Sequence, residues 1–145
     1  MKKINFVNND APYLSAENLN QMQDNIEEAI NGVVLFESAE GDNSTSITLN
    51  ETLANYKEIE IVFGNAGLIK SVKAPKGFTI ELSLSRTGRF DNSYYGVRKN
   101  TTNISFNGTT ATKPIGYTFT YKVDNTMVFS DTLNEIFIYK IVGYK

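Results

Sequence analysis

The sequence predicts a mainly β fold, in which an antiparallel β-sandwich follows one N-terminal α-helix. Three observations lead to this class. Residues 16–31 carry apolar side chains at helical spacing between suitable capping residues. From residue 33 onward, short stretches of alternating apolar and polar residues are separated by turn residues, which is typical of antiparallel strands. The last stretch, residues 135–144, is apolar on both faces, as in a strand at the centre of a sandwich or at a subunit interface.

The helix is predicted from Ala16 to Asn31. Ser15 is a suitable N-cap, and Gly32 permits the left-handed backbone that ends many helices. The apolar residues of this segment are Leu19, Met22, Ile26, Ala29, Ile30 and Val33. Their three- and four-residue spacing is that of a coiled-coil seam, which favours packing against copies of the same helix. The alternative is packing on the sheet of the same chain, because the pattern covers only about two heptads.

The chain divides at Gly32 into an N-terminal arm and helix, residues 1–32, and a β-domain, residues 33–145. We expect the first part to serve attachment or oligomerisation. The β-domain is predicted to contain seven to nine short strands. They are placed at residues 33–36, 46–49, 57–63, 68–73, 78–84, 102–106, 117–123, 126–129 and 135–144.

Alternation within the strands predicts which side chains face the core. Those expected inward are Ile59, Ile61, Phe63, Phe78, Ile80, Leu82 and Leu84. In residues 117–123 the aromatic side chains share one face and the threonines the other. In the last strand Ile136 and Ile138 share one face, and Phe137, Tyr139 and Ile141 share the opposite face.

Turns and loops are expected between these strands. Asn107-Gly108 predicts a hairpin turn, since this pair favours the tight turns that join antiparallel strands. Residues 37–44 are polar and are expected to form a loop. Residues 86–99 interrupt the alternation and are expected to form a long exposed loop with at most a short strand.

The composition excludes several classes of function. Without histidine or cysteine, the chain has no Ser-His-Asp or Cys-His nucleophile, no disulfide and none of the usual zinc ligands. A net charge of -2 gives no general attraction to nucleic acid or anionic membranes. We therefore expect no metal site, no cofactor and no nucleic-acid partner. The absence of a long apolar run and the polar N-terminal residues predict neither membrane insertion nor a signal peptide.

Two carboxylate pairs are the remaining candidates for catalysis. Glu58 with Glu60, or Glu27 with Glu28, could suggest the two-carboxylate chemistry of glycoside hydrolysis. Glu58 and Glu60 are expected instead to line the solvated face of a strand. The sequence therefore predicts a protein that is not an enzyme.

Several phrases of the sequence resemble structural proteins from phages and prophages of Gram-positive bacteria. Residues 5–9 and 11–30, centred on Leu-Asn-Gln-Met at positions 19–22, are similar to segments that open tail, baseplate and fibre proteins. Residues 53–61 and 136–145 resemble phrases of small tail-fibre head domains. The resemblance implies a homotrimer in the virion, with bundled helices at the attachment end. It also implies contact of the N-terminal arm with other phage structural proteins, and of the β-head with the host surface.

The best candidate for a ligand-binding surface lies in the predicted loop 86–99. Aromatic rings can cover the apolar side of a sugar, and Asp, Asn and Arg can bind its hydroxyl groups. The candidate residues are Arg89, Asp91, Asn92, Tyr94, Tyr95 and Arg98. The alternative is that Tyr94 and Tyr95 lie in a strand, one of them in the core, with solvated arginines around them.

Three kinds of virion role and one other function fit these observations. The chain could be a tail-fibre or baseplate component that binds host cell-wall carbohydrate, or one that only caps an assembly. It could also be a fibre that decorates the phage head without a receptor role. A monomeric carbohydrate-binding module is the alternative outside the virion.

Overall fold

The computed structural model describes residues 16–65, 67–89, 95–122, 126–130 and 135–145. Helix α1 (Ala16–Asn31) has the bounds that the sequence predicts. The strands are β1 (Val33–Asp42), β2 (Ser46–Thr48), β3 (Glu58–Asn65), β4 (Leu68–Pro75), β5 (Ile80–Arg89), β6 (Tyr95–Asn107), β7 (Thr110–Thr112), β8 (Tyr117–Lys122), β9 (Met127–Ser130) and β10 (Phe137–Tyr144). A short 3₁₀ helix, Leu53–Asn55, precedes β3. Ser15, the predicted N-cap, lies outside the described residues.

The strands form two antiparallel sheets around one core. The first sheet has the order β1-β10-β3-β4, and the second has the order β2-β7-β6-β8-β9, with β5 also paired to β6. The core consists of Leu35, Ile47, Leu49, Leu53, Tyr56, Ile59, Ile61, Phe63, Ile80, Leu82, Leu84, Ile104, Ala111, Ile136, Ile138 and Ile141. The predicted mainly β class, with one N-terminal helix before an antiparallel sandwich, is confirmed.

Strand β10 lies between β1 and β3 and contains a bulge. Ile138 pairs with Phe63 whereas Lys140 pairs with Val62, so Tyr139 is an extra residue opposite β3. A bulge reverses the alternation of faces along a strand. Ile138 and Ile141 are consequently both fully buried, although they are three residues apart. The prediction that Ile141 shares a face with Phe137 and Tyr139 is therefore wrong.

Strand β1 extends through residues 37–42, which the sequence assigns to a loop. The backbone of this segment pairs with β10, from Glu37 opposite Lys140 to Asp42 opposite Ile138, with a register shift between them. The polar side chains are tolerated because β1 is an edge strand. Glu37 forms a surface ion pair with Lys140 at 3.5 Å. Backbone pairing at an edge requires no apolar pattern.

Strands β5 and β6 form a long hairpin where the sequence predicts a loop over residues 86–99. Their register runs without interruption from Ile80 opposite Ile104 to Arg89 opposite Tyr95. The sequence pattern does not indicate this pairing, because the side chains of the stretch are largely polar and show no apolar alternation. Phe78, expected in the core, precedes β5 and is 65% exposed, so that assignment is also wrong. The Asn107-Gly108 turn is confirmed, with Gly108 at a φ of 59° between β6 and β7.

The face of β8 that is buried is the opposite of the one that its apolar pattern suggests. Thr118 and Thr120 are 3% and 4% exposed and face the interior, whereas Tyr121 is 53% exposed. The separation of aromatics from threonines is confirmed for the described part of the segment. The buried side, however, is the threonine side.

The end of α1 rests on the outer face of β10. Gly32 has the predicted left-handed backbone, with a φ of 70°, and lies against Val142 so closely that a Cβ atom would overlap its side chain. Glu28 and Lys145 form an ion pair beside this contact. Val33, predicted as the last position of the helix seam, begins β1 and packs against the chain's own core. It is therefore not part of the helix surface, since the chain turns at Gly32.

Replacing Gly143 with alanine should destabilise the fold. A Cβ atom at this position would lie 2.6 Å from two ring carbons of Tyr56 and 3.0 Å from Leu35. Overpacking of this kind costs about 1–3 kcal/mol, and chemical denaturation should show this loss of unfolding free energy. An unchanged unfolding free energy in Gly143→Ala would contradict the tight contact between β10 and Tyr56.

Candidate functional site

A narrow apolar stripe runs along α1 and is exposed in the described structure. Leu19 is 48% exposed, Met22 42%, Ile26 48% and Ile30 71%, and Ala29 is exposed as well. The flanking side chains are polar, and Gln23 donates a hydrogen bond to Glu27 along the helix at 3.1 Å. A helix packed on its own sheet would have this stripe buried. The stripe is therefore a candidate interaction surface.

Three of the predicted ligand-binding residues, Arg89, Tyr95 and Arg98, lie in the described part of the β5–β6 hairpin. Arg89 and Tyr95 are backbone partners at its end, and Asp91, Asn92 and Tyr94 lie outside the described residues. Arg98 lies within β6, where its guanidinium is 3.7 Å from the carboxylate of Glu135. The structure thus places Arg98 in a strand. The assignment of all six residues to a ligand site stays a prediction.

Glu135 is the centre of a polar cluster that joins the two sheets. Its Oε2 accepts hydrogen bonds from the side-chain amides of Asn100 at 2.7 Å and Asn65 at 3.4 Å. Asn100 in turn accepts from the hydroxyl of Thr118 at 3.0 Å. Because buried polar groups need partners, this cluster determines which face of β6 and β8 turns inward. It explains why Thr118 of β8 is buried.

The same orientation places apolar side chains on the outer face of the second sheet. Val97 of β6 is 41% exposed, and its neighbours across the sheet, Tyr121 of β8 and Met127 of β9, are 53% and 54% exposed. Tyr117, four residues before Tyr121, is 49% exposed on the same face. Two tyrosine rings of β8 are therefore exposed on this face.

A cleft of about 340 Å³ opens on this outer face beside Tyr117. It is lined by Glu81, Thr101, Thr102, Asn103, Pro114, Ile115 and Tyr117. Strand pairing brings these residues together, since Glu81 lies opposite Asn103 and Thr101 lies opposite Tyr117. The volume falls within the range of small-molecule sites, roughly 300–1,000 Å³. The sequence pattern does not indicate this cleft. Asn103 and Tyr117 lie in predicted strands and Thr101 directly precedes one, but nothing in the pattern brings the two strands together.

The loop between β7 and β8 forms one wall of the cleft and is firmly held. The hydroxyl of Thr102 donates to the carbonyl of Pro114 at 2.8 Å. Gly116 lies so close to β6 that a Cβ atom there would be 2.6 Å from the carbonyl oxygen of Thr101. Lys113, at the start of the loop, is fully buried and donates to the carbonyl of Asn43 at 3.3 Å. These contacts fix the wall before any ligand binds.

The outer face of the first sheet is charged instead of aromatic. Glu58 pairs with Lys73 at 3.1 Å, and the ammonium of Lys73 lies 3.9 Å from the centre of the Tyr144 ring. The hydroxyl of Tyr144 donates to Glu60 at 2.7 Å. This hydrogen bond, followed by one from Ser71, lowers the pKa of Glu60 below its usual value. A general acid for glycoside hydrolysis needs a raised pKa, so Glu60 is unsuited to that role.

Comparisons with known proteins add no family. A scan against protein-family models finds no match, and a search of curated proteins finds no significant match. Within the described ranges, no group of three or more Asp or Glu residues is placed to hold a metal ion. No helix in that part of the chain has the length and apolarity needed to cross a bilayer.

Lys113 should make the stability of the protein depend on pH. Burial lowers its pKa from 10.5 to about 8, against the opposing influence of Asp42. Between these two values the unfolded chain binds more protons than the folded one, so stability rises with pH across this window. We expect the wild-type protein to gain about 2 kcal/mol of unfolding free energy between about pH 7.5 and about pH 9.5.

The matched variant is Lys113→Met, which keeps a long side chain without the charge. Its stability should change by less than that of the wild type across the same pH range, as measured by urea denaturation. It should also equal or exceed the wild type near neutral pH, because no buried ammonium has to lose its hydration. Parallel stability curves for the two proteins would contradict a buried lysine with a lowered pKa.

Proposed function

We propose that this chain is a structural component of a phage particle, from a tail fibre or baseplate, that assembles as a homotrimer through α1. The observation that carries the proposal is the exposed stripe of the helix. Its spacing matches a coiled-coil seam, and its sequence resembles the opening segments of phage fibre and tail proteins. The protein has no catalytic role in this proposal and is localised in the virion.

The size of the stripe supports self-association. Fully burying a Leu, Ile or Met side chain contributes about 1.5–3 kcal/mol, and four such residues are about half exposed on α1. Covering them would contribute about 3–6 kcal/mol per chain on that scale. An isolated helix of 16 residues is marginal in water, so the covering surface also stabilises the helix itself. A copy of the same helix offers the matching stripe.

The β-domain supplies the contact with the host in this proposal, and the N-terminal arm contacts other structural proteins of the particle. On the outer face of the second sheet, the exposed ring of Tyr117 beside the cleft supports an adhesive role, since aromatic rings are effective contact groups at low entropic cost. The same face also fits a monomeric carbohydrate-binding module, which is the second candidate function. The two candidates differ in oligomeric state.

Met22→Asp should disrupt the trimer. The substitution places a charge in the middle of the apolar seam, where burial in an assembly would remove its hydration. Native mass spectrometry should show wild-type particles with three times the mass of the chain and a Met22→Asp variant that is predominantly monomeric. The β-sheet signal in circular dichroism should be unchanged, because Met22 contacts solvent in the folded chain.

Gln21→Asp is the matched control, as it adds the same charge one residue away on the polar side of α1. It should remain trimeric. An intact assembly in Met22→Asp would place the symmetry axis elsewhere, and a monomeric wild type at micromolar concentration would favour the carbohydrate-binding module.

Peptides of this chain should be present in purified phage particles. The particles would be produced from the genome that encodes the sequence and purified by density gradient. Mass spectrometry of their digested proteins should then detect the chain in a fixed ratio to the other tail proteins. Detection in the lysate but not in the particles would contradict the virion role, whatever the oligomeric state.

A further inference from the structure

We propose that the cleft lined by Glu81, Thr101, Asn103, Ile115 and Tyr117 binds an uncharged sugar ring of a glycan. This proposal names the kind of molecule that the β-domain would contact on the host. It rests on the function proposed above only in taking the host cell wall as the source of the glycan. The cleft lies on the open face of the second sheet, and Arg98 is not among its described lining residues.

The apolar side of the cleft fits the C–H face of a pyranose ring. Tyr117 and Ile115 are 49% and 53% exposed, and Pro114 is exposed beside them. A half-exposed tyrosine ring provides a rigid flat surface with few rotatable bonds, so little entropy is lost when a ligand covers it. A sugar ring is apolar on its axial C–H side and can lie against such a surface.

The polar side of the cleft fits the hydroxyl groups of the same ring. The carboxylate of Glu81 accepts a hydrogen bond from the hydroxyl of Thr101 at 3.2 Å, and the ammonium of Lys99 lies 3.8 Å from the same oxygen, Oε1. Oε2 can then accept from a ligand hydroxyl. The amide of Asn103, which is exposed opposite Glu81, can donate and accept. Adjacent sugar hydroxyls need this combination of donors and acceptors.

The charges at the cleft favour a neutral ligand. Lys99 lies beside Glu81 and offsets its charge, so neither an anionic nor a cationic ligand gains a strong net attraction. Among the described residues that line the cleft, the others carry no charge. An acidic polysaccharide would also meet the carboxylate of Glu81 directly.

The cleft is preorganised for binding. Thr102 holds the carbonyl of Pro114, and Gly116 packs directly against the backbone of β6. Tyr117, Thr101 and Glu81 are placed by the strand register of β8, β6 and β5. A ligand therefore does not have to order the loop, which lowers the entropic cost of binding.

The test adds neutral oligosaccharides to the isotope-labelled full-length chain and detects binding by changes in NMR chemical shifts. The probes are oligomers of glucose, galactose, rhamnose and N-acetylglucosamine at millimolar concentration. At least one probe should shift the backbone amides of residues 101–103 and 115–117. Tyr117→Ala should weaken that binding at least about tenfold, since aromatic anchors dominate small interfaces. Glu81→Gln should weaken it as well.

Tyr121→Ala is the matched control, because Tyr121 lies on the same face of the same strand with a similar exposure but outside the cleft. It should retain wild-type affinity. The proposal is overturned if no probe causes a shift, if shifts occur only elsewhere, or if Tyr121→Ala weakens binding as much as Tyr117→Ala.

Native mass spectrometry of the same samples separates the glycan-binding proposal from the trimer proposal. Glycan binding by a monomer would overturn only the trimer, whereas a trimer without glycan binding would overturn only the cleft. Loss of the trimer in Tyr117→Ala would identify the cleft as a subunit contact and also overturn its assignment as a glycan site.

Discussion

The placement of β10 between β1 and β3 is the constraint on which the rest of the structure depends. Its bulge at Tyr139 allows both Ile138 and Ile141 to enter the core, and Gly143 leaves room for the buried ring of Tyr56. The outer face of the same strand receives the end of α1 at Gly32. The last strand therefore closes the first sheet, completes the core and determines where the helix leaves the β-domain. These three effects depend on contacts between residues more than 70 positions apart in the sequence. The pairing of Tyr144 with Glu58 is one example.

The second sheet differs from the first because the face that it turns inward is partly polar. The hydrogen bonds of Glu135 with Asn100 and Asn65, and of Asn100 with Thr118, satisfy groups that would otherwise be costly to bury. Strand β8 can turn only one face inward. Once Thr118 belongs to this cluster, the aromatic residues that alternate with it along β8 must face outward. The exposed aromatic surface is thus a consequence of the polar cluster, and the cleft beside Tyr117 is formed at the edge of that surface.

Sequence patterns predicted the elements that depend on local chemistry. The limits of α1 follow from its apolar spacing and from Gly32, and the β6–β7 turn follows from Asn107-Gly108. The same patterns failed where a residue far away in the sequence determines whether a segment is a strand or which of its faces is buried. The polar half of β1 is a strand only because β10 supplies its hydrogen bonds, and the faces of β8 depend on Glu135, which follows β8 by more than ten residues. The cleft could not be located for the same reason, since Glu81 and Tyr117 become neighbours only through the register of β5, β6 and β8.

The proposed assembly and the proposed cleft support each other physically. A shallow cleft that covers one side of a single sugar ring gives few contacts, and its affinity as a monomer is expected to be weak. Three chains joined through α1 would present three such clefts to a cell wall on which the same sugar repeats. Linked weak sites can gain about 10²–10⁴ in overall affinity without any new contact, provided that they engage at the same time. In the proposed assembly, a particle would gain firm attachment in this way while each contact stays reversible. The exposed helix stripe would then be as important for adhesion as the residues that touch the glycan.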